Sequence, residues 1–393
     1  MNFTINRVSM LTAAKNAEKV APAGAFTNIL SGILIECNDD TGEVFITATN
    51  FEVSIQQKRI ASVDERGAIL VNARLLVQML ASLESEFVCF AADSENRLRL
   101  SSAVGKSKFC VSYMSPSNYP KPVMPFPGEA VTVTSICSLA KRTTFAVSKD
   151  NSKAVLQCVY MKLTNNAVTA AASDGAKKLV LVKDSVEASE EREFMLPARA
   201  LQKLASVSED TDVFEVSDVG KEIVFVRGDM MLTIRKLTSD DYIDTTSLLK
   251  NIKPEYKAVA DSSELKNALS LLSVSVHADT TIQPLNLSFS DGSITLLCRN
   301  EYSHADISVP AQVTQATPEK GFYYEVAALC KIFDVINGRV KLEIDARGSL
   351  LIKTPREVYY QVAMRGPVPV VKPKQTPKEK ESAKGAEKVK KVA

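Results

Sequence analysis

Tryptophan is absent from this 393-residue chain, and histidine occurs only at His277 and His304. Two histidines leave little material for imidazole catalysis or a histidine-rich metal site. The seven cysteines, Cys37, Cys89, Cys110, Cys137, Cys158, Cys298 and Cys330, stand singly, with no Cys-x-x-Cys pair. Neither paired zinc ligands nor a redox dithiol is expected, and the mostly apolar neighbours point to buried, reduced thiols. No P-loop, Gly-x-Ser-x-Gly, His-Glu-x-x-His or dinucleotide-binding glycine fingerprint occurs. The acidic clusters "NDD" (38–40) and "SDD" (239–241), like Asp174 in "SDG", have the composition of turns. No apolar run approaches the roughly 18–20 residues that span a bilayer. The start, "MNFTINRVSML", lacks the basic-then-apolar order of a signal peptide. The expectation is a cytoplasmic protein that is not an enzyme, needs no metal or cofactor and does not enter a membrane.

Hydrophobic residues make up 45% of the chain, enough for a sizeable core in two or three domains. Charge is unevenly placed. Eight of the 48 Lys and Arg and three of the 46 Asp and Glu fall in residues 372–393, "KPKQTPKEKESAKGAEKVKKVA". The tail therefore carries +5, and the body, with 40 basic against 43 acidic residues, carries −3. The tail has no aromatic residue and too little apolar surface to order itself. It is expected to be a disordered lysine-rich extension, either solubilising or offering a mobile phosphate contact.

The body is written three times. In "VNARLLVQMLASL", Leu76, Met79, Leu80 and Leu83 take the i, i+3, i+4, i+7 spacing of a helix with one apolar face. In "LPARALQKLASV", Leu201, Leu204 and Ala205 follow 125 residues later. In "YEVAALCKIFDVIN", Leu329, Ile332, Phe333 and Ile336 repeat the pattern 128 residues further on. Alternating strand-like blocks follow each helix, and another block precedes it, in which Asn50, Asp174 and Asn300 mark one position spaced by 124 and 126 residues. A further helix opens each unit, at about 8–20, 135–147 and 263–274. The units are expected at 1–124, 129–250 and 254–371, parted by the Pro-rich "PSNYPKPVMPFPGE" (116–129) and by "LLKNIKPEYKAV" (248–259). Each is an α+β module with two helices packed on antiparallel sheet.

The ordered blocks "ATNFEVSI", "FAVSKDNSKAVLQCVYMKL", "AASDGAKKLVLV", "LPARALQKLASV", "LTIRKLTSDDYI" and "YYQVAMR" resemble the bacterial DNA polymerase III beta subunit family, the replicative sliding clamps, over residues 1 to about 366. The resemblance implies three repeated DNA-clamp domains forming half of a ring, closed by a head-to-tail homodimer around duplex DNA. It implies a non-catalytic processivity factor, nucleoid-associated, whose partners are double-stranded DNA, the DNA polymerase catalytic subunit and a clamp loader. Sheet edges argue the same way: three modules in a row leave two unpaired ends, and a second copy removes both. The alternative is a protein-interaction scaffold of the same fold that is not loaded on DNA.

A ring of this kind wants a cationic lining that meets phosphate without reading bases. The candidates are Lys15, Lys19, Arg74, Lys141, Arg142, Lys149, Arg199, Lys203, Lys266 and Lys331. The resemblance also implies a groove that receives partner peptides. The positions matching the family motif are Leu156, Ser173, Gly175, Lys177, Leu179, Leu249, Ile282, Val362, Met364 and Arg365. The family commonly has His-Arg-Leu after the glycine, whereas this chain has Ala176, Lys177 and Lys178 before Leu179. A lysine in place of that arginine loses the planar two-pronged hydrogen-bonding geometry.

Overall fold

The computed structural model describes residues 1–24, 28–102, 108–124, 130–150, 152–164, 166–185, 191–238, 242–275, 284–299 and 304–366. His277, Ile282, Asn300, the "SDD" cluster and the tail 372–393 lie outside the described residues. The described helices are α1 (Arg7–Val20), α2 (Ala73–Ser82), α3 (Ile136–Thr143), α4 (Ala198–Ser206), α5 (Thr245–Lys250), α6 (Ser262–Ser275) and α7 (Val326–Phe333). None is long and apolar enough to cross a membrane.

The repeat is plain in the packing. Helices α1 and α2, α3 and α4, and α6 and α7 lie together as pairs against antiparallel sheet. Leu76, Met79, Leu80 and Leu83 are buried, as are Leu201 and Leu204, and Leu329, Ile332, Phe333 and Ile336. Each opening helix has a short strand ahead of it, Asn2–Asn6, Val131–Val133 or Pro254–Asp261, so a unit begins with a strand rather than a helix. Those strands escape sequence reading because three to eight residues of alternation give a weak periodic signal. Helix α3 stops at Thr143, earlier than expected, and Thr144–Ala146 tighten into a 3-10 turn.

Two of the four described sheets cross from one unit to the next. In the eight-stranded sheet, Met230–Arg235 of the second unit pairs with Val53–Ile60 of the first. In the nine-stranded sheet, Glu357–Gln361 of the third unit pairs with Lys178–Ser185 of the second. A five-stranded sheet at one end of the chain finishes on Lys108–Ser112, and a four-stranded sheet at the other finishes on His304–Pro310. Every strand pairing described is antiparallel.

The expected boundary stretches are more structured than their composition implied. Tyr119, in the Pro-rich segment, is buried on Leu34 and Leu70. Its hydroxyl accepts from the Thr49 amide and donates to the Gly32 carbonyl, both at 3.1 Å, and burial pushes its pKa up to about 12. Residues 248–259 are not a linker loop: α5 ends at Lys250 and a strand runs from Pro254. Cys37, Cys137, Cys158 and Cys298 are buried, but Cys110 is exposed, against expectation. It sits on the outward face of an edge strand, where apolar sequence neighbours point the other way.

Candidate functional site

The strand Ala167–Ser173 ends at a tightly wired loop. Asp174 Oδ1 accepts from the amides of Ala176 (3.0 Å), Lys177 (2.7 Å) and Lys178 (2.9 Å). Ser173 Oγ accepts from the Gly175 amide and donates to the Lys178 carbonyl. This fold-back requires a left-handed residue, and Gly175 supplies it with φ +76°. The same residue touches Leu156: a Cβ there would lie 2.8 Å from Leu156 Cδ1.

Helix α5 closes the other side. Asp244 caps it, its Oδ1 accepting from the Thr246 and Ser247 amides. Ile243, Leu248, Leu249 and Ile252 then face Ser173, Gly175, Ala176, Lys178, Leu179 and Tyr360 across a cleft of about 230 Å³. Tyr360 belongs to the third unit and is the strand partner of Leu179, so the cleft straddles the second seam. Apolar walls with a few backbone and side-chain polar groups suit the apolar side chains of a short extended peptide.

Four of the expected groove residues, Ser173, Gly175, Leu179 and Leu249, line this cleft, and Leu156 abuts it through Gly175. Lys177 is exposed, and its carbonyl accepts from the Val362 amide at 2.9 Å. Met364 and Arg365 follow on that segment, with the Met364 amide donating to the Tyr323 carbonyl, so they run beside the cleft rather than in its wall. Leu248 of α5, Ile243 and Ile252 on either side of that helix, and Tyr360 were missed. The signal was present: a capping aspartate followed by apolar residues at 248, 249 and 252 is a short amphipathic helix.

The basic candidates divide by burial. Lys15, Lys19, Arg74, Lys141, Lys149, Arg199, Lys266 and Lys331 are exposed. Lys141 meets Asp210 at 2.9 Å and Lys266 meets Asp334 at 3.2 Å, pairs too solvated to hold either amine firmly. Lys203 is half-buried and donates to the Lys19 and Val20 carbonyls, capping the end of α1 from the neighbouring unit, while Lys19 Nζ donates to the Ser206 carbonyl. Burial lowers the Lys203 pKa.

Arg142 is a correction. Its side chain is 11% exposed, bonded to Glu357 at 2.7 Å and to Asp184, and it is no part of a DNA-facing surface. Burial alone would lower its pKa, but the hydrogen bonds to Glu357 and Asp184 outweigh that and raise it. Successive helical residues point about 100° apart, so Lys141 faces solvent while Arg142 faces the third unit.

The family model described as "DNA polymerase III beta subunit, N-terminal domain" matches residues 1–125, and the one described as "DNA polymerase III beta subunit, central domain" matches residues 130–243. The chain is 25% identical over 331 residues to the beta sliding clamp of Chlamydia trachomatis, covering 82% of this chain and 76% of that protein. It is 25% identical over 283 residues to the beta sliding clamp of Staphylococcus aureus, covering 68% of this chain and 73% of that one. The fold is similar to the crystal structure of the Bacillus subtilis sliding clamp, with TM-score 0.82, 19% identity, and 93% of this chain and 100% of that chain covered. It is also similar to a Pseudomonas aeruginosa clamp bound to griselimycin, with TM-score 0.79, 18% identity and the same coverage.

Proposed function

This chain belongs to the DNA polymerase III beta subunit family, and from that premise we propose that two copies close head to tail into a ring around duplex DNA. It is a sliding clamp. The units 1–124, 129–250 and 254–371 act as its clamp domains, and the ring tethers a polymerase without performing chemistry itself.

One observation carries the ring. The strands paired at the two internal seams have counterparts at the two ends of the chain, Lys108–Ser112 and His304–Pro310, which have no outer neighbour among the described strands. Unpaired edges of this kind invite another chain, and joining the first unit of one copy to the third of another removes both. The exposed Lys15, Arg74, Arg199 and Lys331 then offer sequence-independent phosphate contacts from α1, α2, α4 and α7. Weak, salt-sensitive contacts permit sliding, while topology retains the ring. The cleft between α5 and the Gly175 loop is the place for the partner peptide, with the polymerase catalytic subunit and a clamp loader as its users.

The test is retention on DNA. After treatment with a clamp loader, the ring should stay on circular duplex and slide off the same molecule once it is linearised. Equal loss from both, or no loading on either, would instead favour the scaffold reading. Charge reversal at Arg74 and Arg199 should weaken loading and flatten its salt dependence while the dimer persists.

A further inference from the structure

The end of each unit returns to its own sheet at one position. Met114 bridges to Leu70 in the first unit, Leu237 to Met195 in the second and Met364 to Tyr323 in the third. Five residues beyond that bridge the first two units carry a tyrosine, Tyr119 and Tyr242. Tyr119 is buried on Leu34 and Leu70, and Tyr242 stacks on Tyr160 with ring centroids 5.2 Å apart. Leu34 and Tyr160 are matching positions, each the strand partner of its unit's bridge residue. The hydroxyls match as well. Each takes a backbone hydrogen bond from the residue before the turn, Thr49 or Ser173, and donates to a strand carbonyl, Gly32 or Ala171. Two units thus lay a tyrosine on the sheet face turned away from their helices.

The third unit has the same face without the tyrosine. Tyr323 pairs with Asn286 and Asn286 with Leu297, which makes these three the matching row. All three are only half-buried, whereas Leu70, Leu34 and Thr47 of the first row and Met195 and Ala171 of the second are buried. The chain already heads onto this row. Gly366 lies so close to the Tyr323 ring that a Cβ there would meet Cε2 at 2.6 Å. Next in sequence comes "PVPVV" (367–371), an uncharged apolar run ahead of the lysine-rich tail, in which Pro369 is fifth after Met364. Proline favours extended backbone and has no N–H, so such a run lies on aromatic and aliphatic surface without leaving donors unpaired.

We propose that the chain's own residues 367–371 cover the row Tyr323, Asn286 and Leu297 as a strap, with Pro369 in the place that Tyr119 and Tyr242 hold in the other units. The strap depends on the repeat alone and not on the ring. Pro369 has no hydroxyl to take the backbone hydrogen bond made by the two tyrosines. Apolar contact alone holds this strap, which makes it the easiest of the three to lift. It starts at the border of the peptide cleft, since Met364 and Arg365 run beside that cleft. A peptide seated in the cleft and continuing past Met364 has to displace it, so the strap competes with long partner peptides. That competition rests on the peptide-cleft reading above.

The test uses the absence of tryptophan from the sequence. Pro369→Trp in the full chain gives a single reporter, and Pro377→Trp gives a reference in the lysine-rich tail. Emission from position 369 should be blue-shifted and shielded from acrylamide relative to position 377. Adding Leu297→Asp should return it to the reference value with circular dichroism unchanged. A blue shift that Leu297→Asp leaves intact would place the segment elsewhere and overturn the proposal. In the native sequence, truncation after Gly366 should lower the melting temperature, and truncation after Val371 should not. Equal melting of the two truncations, with the 369 tryptophan as solvated as the 377 one, would also overturn the strap. Saturation with a polymerase-derived peptide that reaches past Met364 should move the 369 emission to the reference value. An unchanged emission at saturation would overturn the competition.

Discussion

The two internal seams share one topology and are filled differently. The first, between Met230–Arg235 and Val53–Ile60, buries an apolar row in which Leu232 meets Ile55 and Ile234 meets Val53. Its helices are stitched by Lys19 and Lys203, which donate to carbonyls across the boundary. The second, between Glu357–Gln361 and Lys178–Ser185, encloses Arg142 with Asp184 and Glu357, and the Tyr359 hydroxyl donates to Glu357 at 3.2 Å. The preceding hairpin is one residue longer there, running from Ser173 to Leu179 where the first unit runs from Thr49 to Ser54. That extra residue, with α5 beside it, opens a cleft. Strand pairing sets where units join; the loop and helix around the joint decide whether the joint also binds something.

The largest break in this comparison should come from Arg142→Met. It leaves Glu357 buried without its guanidinium and Asp184 with only the exposed Arg356 at 3.6 Å, a cost of about 3–5 kcal/mol for a broken buried pair. Urea unfolding should show a loss of that order. Replacing Asp184 and Glu357 by leucine in the same variant should recover most of it, since the seam would then resemble the apolar first one. A loss below about 1 kcal/mol would mean that water reaches the cluster and the two seams differ less than their chemistry implies.

Next comes the groove. Gly175→Val forces a branched residue into a left-handed conformation and drives its Cβ towards Leu156. The strain should cost about 1–3 kcal/mol. Calorimetric titration with a polymerase-derived peptide should show affinity falling tenfold or more, an effect of about 1.4 kcal/mol. Native affinity in that variant would move the peptide site away from this cleft. No comparable loss is expected from Phe51→Val, since Phe51 also has positive φ but stands in the shorter hairpin of the first unit.

The smallest effect should be at the first seam. Lys203→Met removes a cap from the last carbonyls of α1 and should cost about 1 kcal/mol. Because the amine is already committed to those carbonyls, the salt slope of DNA loading should stay as in the wild type. A flattened slope with unchanged melting would return Lys203 to the DNA-facing set.

Much of the fold was legible because it depends on local periodicity. The apolar stripes of α2, α4 and α7 predicted their buried faces, with only Ala205 of α4 left half-buried, and the spacing of Asn50 and Asp174 located two corresponding turns. In both, the side-chain oxygen accepts from amides two and three residues on. The short strands ahead of α1, α3 and α6 were missed, and so was α5, whose last three residues were read as part of a boundary. The groove was half legible: its loop is a contiguous motif, whereas Tyr360 reaches it from a strand 181 residues beyond Leu179.

By itself, then, the sequence determined that one α+β unit is repeated three times, which faces of its helices are apolar, and that a cationic tail follows an acidic body. Tertiary structure alone decided what each polar group meets. Lys141 and Arg142 are neighbours of like charge, yet one pairs on the surface with Asp210 and the other is buried against Glu357, 215 residues away in the chain. Periodicity records which side of an element avoids water, and it holds no record of the partner that a distant strand will bring to that side.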